Sequence, residues 1–245
     1  MRATCVVNAG VLKTLLKGLN ILVSESRWRF SESGLQIRAV DPANVSMVIA
    51  NIEPHVFDAY QINEKEVIIG VDIDRLFDFV KSFRKDDLVD ITILDSKINI
   101  KARSIEYSLS LIDPSAIRRE PKIPEIELPA KIVMTVENFK QALNAANKFS
   151  DYVILETSDS GLKLQADGDI DKITAYFRDS EVIEFNGAKA KSMFGIDYLM
   201  QFFSVPDKNS VVTLRLGDNY PLHLTFEIQD GFTLEYFQAP RIEVE

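Results

Sequence analysis

One cysteine, Cys5, stands in 245 residues. That excludes an internal disulfide and any cysteine-rich zinc site, and it fits a reducing compartment. Cys5 lies in the apolar run Thr4–Val7 and reads as a buried strand residue rather than a nucleophile. Long apolar runs are missing too: none reaches the ~18 residues that a membrane span needs. The N-terminus, MRATCVVNAGVLKTLLKG, lacks a signal-peptide core and a small-residue cleavage site, so no membrane partner is expected. There are two histidines, His55 and His223, and neither has a metal-ligand companion at useful spacing. The segment DGDID at 167–171 begins like a calcium loop. The positions that need Gly and Glu hold Lys172 and Arg178, so it reads as a polar turn. Ser82–Lys85 matches S-x-x-K but lacks the companion motifs of that enzyme class. No P-loop, G-x-G-x-x-G or G-x-S-x-G occurs, and no two carboxylates can be paired for acid–base work. The expectation is therefore no catalytic residue, no metal, no cofactor and no enzymatic activity. An excess of positive charge is absent as well. The net charge of −9 argues against nucleic acid unless the basic side chains gather on one surface.

What is present is a repeat. Residues 31–41 read SESGLQIRAVD and residues 158–168 read SDSGLKLQADG. Each follows an amphipathic helical stretch. A second echo, IDRLFDF at 73–79 and IDYLMQF at 196–202, lies at nearly the same offset, about half the chain. The chain is thus a duplicated unit, and its hydrophobic content of 46% suffices for two cores.

Apolar periodicity predicts helices over 11–23, 72–83, 137–149 and 196–204. The inward faces include Leu12, Leu15, Leu16 and Leu19 in the first helix and Ile73, Leu76, Phe77, Val80 and Phe83 in the second. The third buries Phe139, Ala142, Leu143, Ala146 and Phe149. Alternating strands fill most of the rest, with Ser33-Gly34 as a turn between two of them and Asp72 as a helix N-cap. The segment 113–127, DPSAIRREPKIPEIE, has three prolines and no periodicity and reads as a semi-extended linker. The expected fold class is α+β: two similar domains of antiparallel sheets, 1–113 and 128–245, joined by a connector at 114–127. Each domain carries eight or nine strands and two helices on one face.

Two surface features admit two readings each. Lys13, Lys17, Lys81, Arg84, Lys85, Lys140, Lys148 and Lys208 lie on the outer stripes or at the ends of the four helices. They form either ordinary solvated faces or one more basic side of an acidic protein, diluted by Asp74, Asp78, Glu137 and Asp197. The loop at 40–47, the linker around Ile123-Pro124 and the tail FQAPRI at 237–242 place apolar residues beside prolines. They form either satellite cores or a docking pocket.

Three segments carry a family resemblance: LQIRAVDPANVSMV at 35–48, IDPSAIRREPKIPEIELPAK at 112–131 and YFQAPRIEVE at 236–245. In order and over the whole length, the chain resembles the proliferating cell nuclear antigen family, the DNA sliding clamps, and is most similar to an archaeal member. The resemblance implies a DNA-clamp fold whose two domains assemble, three chains head to tail, into a pseudo-six-fold ring of identical chains or paralogues. Double-stranded DNA would pass through the hole without being read for sequence. The resemblance turns Lys13, Lys81, Lys85 and Lys148 toward it, and Lys17, Arg84, Lys140 and Lys208 are expected to bind DNA with them from their places on the helix stripes; Gln141 and Asn144 stand where eukaryotic members have arginines. Strand 104–111, with Ser104, Tyr107, Leu109 and Leu111, would pair with strand 173–178, with Ile173, Ala175, Phe177 and Arg178, of the next chain. Val40, Asn44, Val45, Met47, Ile123, Pro124, Leu128, Pro221, Phe237, Ala239, Pro240 and Ile242 match the family's client pocket. That pocket takes a peptide with a glutamine and two aromatics from DNA polymerase and other clients. The resemblance further implies a processivity factor placed on DNA by an ATP-dependent clamp loader, in the cytoplasm on the nucleoid. The alternative is a duplicated β-rich interaction scaffold that does not encircle DNA.

Overall fold

The computed structural model describes residues 1–242 and divides into two compact units. Unit 1 comprises Met1–Lys122 with Gln229–Leu234; unit 2 comprises Ile123–Ile228 and the chain from Glu235 onward. Unit 1 runs β1 (Ala3–Asn8), α1 (Ala9–Asn20), β2 (Glu25–Ser31), β3 (Gly34–Val40), β4 (Ser46–Ile52), β5 (Ala59–Ile62), β6 (Glu66–Asp72), α2 (Ile73–Val80), β7 (Leu88–Ile93), β8 (Lys97–Ala102) and β9 (Ile105–Ser110). The second half of the chain repeats this order: β10 (Ala130–Thr135), α3 (Val136–Ala146), β11 (Tyr152–Ser158), β12 (Gly161–Asp167), β13 (Lys172–Arg178), β14 (Glu184–Asn186), β15 (Ala190–Gly195), α4 (Ile196–Phe202), β16 (Val211–Leu216), β17 (Leu222–Gln229) and β18 (Phe232–Gln238). No regular element lies between β9 and β10 among the described residues, which is where the prolines of the linker fall.

Both sets of strands follow one plan. β5-β1-β7-β8-β9 form one antiparallel sheet of unit 1, and β2, β3, β4 and β6 form a second in the order β4-β3-β2-β6. The second half gives β14-β10-β16-β17-β18 and β13-β12-β11-β15. The helices pack as pairs within their units, α1 with α2 and α3 with α4. The backbone ties repeat as well. Ala9 and Gly10 N–H donate to Asp87 and Lys85 O, as Val136 and Glu137 N–H donate to Ser210 and Lys208 O. Ile73 N–H donates to Ser24 O, as Ile196 N–H donates to Asp151 O. The cores differ in chemistry. α1 buries Leu12, Leu15, Leu16 and Leu19, each worth about 1.5–3 kcal/mol, against a sheet that also buries Trp28. Unit 2 stacks aromatics: Phe139 on Phe203 at 4.8 Å and Phe202 on Tyr236 at 4.2 Å.

The structure corrects several expectations at helix ends. α1 starts at Ala9, not 11, because Asn8 Oδ1 accepts the Gly10 N–H at 2.8 Å and caps the first turn. It stops at Asn20 because Leu22 and Val23 N–H both turn back to Leu19 O. α2 ends at Val80, short of 83. Phe83 stays buried through an edge contact with Phe79 at 5.0 Å rather than as a helical residue. Phe77 is only half-buried, with the Lys81 ammonium 4.3 Å above its ring. Phe149 lies beyond the end of α3 and is 37% exposed, so it does not face the core. The short strands β5 and β14 carry no sequence signal. They hold four and three residues, lie at sheet edges, and contain no fully buried side chain to mark them.

Candidate nucleic-acid interface and docking surfaces

The eight basic residues fall on helix faces and on the turns that follow the helices. Lys13 and Lys17 lie on α1 and Lys140 on α3, all half-buried; Lys81, Arg84, Lys85, Lys148 and Lys208 are exposed at or after helix C-termini. Cations are favoured there, because the last carbonyls of a helix lack donors and carry its negative dipole end. Lys81 is paired with Asp78 at 2.8 Å, and Asn20 Nδ2 donates to Asp74 Oδ1 at 2.5 Å. Asp74 and Asp78 are therefore neighbours of the basic residues and not remote from them. Arg84, Lys85, Lys140, Lys148 and Lys208 make no ion pair among the described residues. The turn between α2 and β7 is held by Asp87. Its buried carboxylate accepts the Arg84 N–H at 2.9 Å and the Arg103 guanidinium at 2.5 Å. The Arg84 backbone bond first, then Arg103, hold this carboxyl below the ordinary aspartate value.

Strands β9 and β13 are the outermost strands of their sheets, each paired on one side only among the described residues. Tyr107 and Leu109 point to the core side. Tyr107 is half-buried and stacks on Phe79 at 4.3 Å, and Leu109 is buried. Ile105 is 49% exposed. Ser104 and Leu111 fall outside the strand: Arg103 turns at φ 54° just before Ser104, and Leu111 N–H is taken by Ser96 O at 2.9 Å. In β13, Ile173, Ala175 and Phe177 are half-buried, with Phe177 stacked on Phe139 at 5.8 Å; Tyr176 and Arg178 are exposed. By contrast, the outer edge of β15 is closed within unit 2. Lys191 O accepts Asn219 N–H, Met193 O accepts Arg241 N–H, and Gly195 O accepts the Gln238 side chain.

The apolar loop residues occupy two places. In unit 1, Val40 ends β3, Asn44 and Val45 sit in the loop, and Met47 is buried in β4. Asp41 organises this loop: its carboxylate accepts Val45 and Ser46 N–H, both at 2.9 Å, and Asn44 takes φ 59°. Arg118 clasps the loop from outside, donating to Asp41 O at 3.0 Å and to Asn44 Oδ1. In unit 2, Ile123 and Pro124 are exposed, and Leu128, Pro221, Ala239 and Pro240 are half-buried. Phe237 is buried and lies flat on His223 at 4.1 Å and 7°, while Ile242 is 84% exposed. Pro240 and Ile242 line an open cleft of about 780 Å³ with Ile154, Met193, Lys191 and Asp218. Sequence reasoning does not reach Asp41, Arg118 or His223. The D-P-x-N run is the one local signal that points to Asp41. The partners of Arg118 and His223 come from distant segments.

No group of three or more metal-ligating side chains occurs among the described residues. No helix is long and apolar enough to cross a membrane. Comparison with known proteins covers the whole chain. Residues 1–109 match the family model of the proliferating cell nuclear antigen N-terminal domain, and residues 122–241 match that of the C-terminal domain. A protein named DNA polymerase sliding clamp from Archaeoglobus fulgidus is 48% identical over 242 residues, 98% of each chain. That of Methanothrix thermoacetophila is 39% identical over 242 residues, again 98% of each. Among solved structures, the A. fulgidus PCNA bound to the C-terminal region of FEN-1 superposes with a TM-score of 0.96 at 48% identity, covering 99% of this chain and 100% of that one. PCNA from Thermococcus kodakaraensis shares the fold, with a TM-score of 0.91 at 24% identity over 98% of this chain and 100% of that one.

Proposed function

This chain belongs to the proliferating cell nuclear antigen family, and on that premise we propose that it is a DNA polymerase sliding clamp, a ring that encircles duplex DNA and tethers replication and repair proteins to it. The observation that carries the reading is the likeness to the A. fulgidus clamp, which runs through both domains at 48% identity and leaves no part of the plan unmatched. The open edges of β9 and β13 suit a ring of three chains. A contact between two different edges is head-to-tail and closes when the rotation closes, leaving neither of these two edges exposed for aggregation. The basic turns after the helices suit a lining that holds phosphate by charge without reading bases. All eight basic residues are assigned to that lining.

Client docking is assigned, in this reading, to Val40, Asn44, Val45 and Met47 of unit 1 and to Ile123, Pro124, Leu128, Pro221, Phe237, Ala239, Pro240 and Ile242 of unit 2. The A. fulgidus structure with a FEN-1 C-terminal region motivates that assignment. The division into domains 1–113 and 128–245 with a connector at 114–127 belongs to the same proposal, as do loading by an ATP-driven partner, the absence of catalysis and a place on the cytoplasmic nucleoid. The test is topological. Protein loaded on closed circular DNA should co-elute with it and be released when the circle is cut, since a ring slides off ends. Retention on the cut DNA would overturn encirclement and favour a scaffold that binds from outside.

A further inference from the structure

The repeat allows two lysines to be compared at one place in the fold. Lys13 stands four residues past the start of α1, and Lys140 four past the start of α3. In unit 1 the Lys13 ammonium reaches the end of α2 and donates to Lys81 O at 3.1 Å and to Phe83 O. These carbonyls lie just past the last turn of α2, where intrahelical donors run out and the dipole is negative. The same turn is held further along by Gly10 N–H on Lys85 O at 2.9 Å and by Ala9 N–H on Asp87 O at 2.8 Å. Unit 2 reproduces the backbone half of this arrangement, with Glu137 N–H on Lys208 O at 3.0 Å and Val136 N–H on Ser210 O at 2.9 Å. It does not reproduce the side-chain half: the Lys140 ammonium makes no hydrogen bond or ion pair among the described residues.

We propose that Lys13 is a positioning residue, a clasp that fixes the turn bearing Lys81, Arg84 and Lys85, while its counterpart Lys140 meets phosphate directly. The proposal rests on the reading of this chain as a DNA clamp and refines the work of two residues within it. Lys13 has committed two of its three donors to carbonyls, and the partial negative charge of the α2 end offsets part of its own. Its charge thus acts largely inside the protein. Lys140 keeps all three donors and its full field. The clasp also stiffens the turn, so its exposed cations are presented without a further ordering cost on binding.

The test uses the full chain, a small closed circular duplex, which a ring cannot leave by its ends, and hydrogen exchange. Lys140→Met should lower the slope of log affinity against log salt between about 50 and 200 mM by roughly 0.9, the loss of one phosphate contact. Lys13→Met should weaken binding at every salt concentration and leave that slope unchanged. In the free protein, Lys13→Met should speed amide exchange over 81–87 by about tenfold or more, the cost of the two lost hydrogen bonds, and Lys13→Arg should restore protection. Lys140→Met should leave exchange over 204–210 as it was. Unchanged exchange in Lys13→Met, or a slope loss equal to that of Lys140→Met, would overturn the clasp. Failure of the unmodified protein to bind duplex at any salt would instead count against the clamp reading, and the exchange experiment would still decide the role of Lys13.

Discussion

Gly34 and Gly161 do the same work in the two halves of the chain. Each follows a serine pair whose hydroxyls bond to one another, Ser31 with Ser33 at 2.8 Å and Ser158 with Ser160 at 2.9 Å. Each takes a positive φ, 109° and 134°, and a Cβ added there would lie 2.1 Å from a carbonyl oxygen of the next strand, Ile52 O or Phe177 O. Gly34→Ala and Gly161→Ala should therefore each cost about 2 kcal/mol or more in urea unfolding, far beyond an ordinary surface glycine replacement. The S-x-S-G repeat is legible in the sequence, because a tight turn is specified by adjacent residues. The role of Asp87 is not, since beyond the local Arg84 N–H its charged partner Arg103 reaches it only when β7 and β8 pair. Its carboxyl is held low in the folded state, so the contribution is present above the ordinary aspartate value and is lost as pH falls through the lower folded value. Asp87→Asn should be less stable than the parent at pH 7, and the gap in urea midpoint should close on acidification below about pH 4. A gap independent of pH would remove the assignment.

At the scale of elements, the apolar periods locate all four helices, and the departures have local causes. Asn8 extends α1 backward by capping it, and α2 and α3 stop early although their apolar pattern runs on. Phe83 and Phe149 carry the same periodic signal and end differently, one buried and one 37% exposed, because only Phe83 finds an aromatic neighbour. Strands β5 and β14 escape the pattern because they hold four and three residues and their alternation runs only between exposed and half-buried side chains. Edge status itself is the functional matter here. β15 has its outer carbonyls taken by Asn219, Arg241 and Gln238, whereas β9 and β13 keep open sides among the described residues. Ile105 is half-exposed on β9, so Ile105→Asp should leave the monomer folded and destroy a chain-to-chain strand pairing. Light scattering should then report three chains for the parent and one for the variant. An unchanged mass would show that β9 is not the joining edge.

For the whole molecule, a net charge of −9 describes an average and not a surface. The cations that could face DNA cluster on helices and the turns after them; Lys85, Lys140, Lys148 and Lys208 make no ion pair among the described residues, while Arg84 stands beside the Asp87 carboxylate that accepts its N–H. Ile123 and Pro124 of the connector are exposed, which leaves them accessible to a client. Ile123→Ser, at a residue 42% exposed, should lower affinity for a synthetic FEN-1 C-terminal peptide about tenfold by calorimetry without shifting the unfolding midpoint. Equal affinity would remove Ile123 from the docking surface. The duplication, the helix faces, the turn glycines and the family likeness were determined by the sequence alone, because each rests on residues close together in the chain or on segments kept in order. Among the described residues, only the tertiary structure decided that Lys13 is clasped and Lys140 is not, that Arg118 holds the loop after β3, and that β15 is closed while β9 and β13 stay open. Each of those outcomes depends on donors and acceptors far apart in sequence, and a hydrogen bond exists only when folding brings its two ends to within about 3 Å.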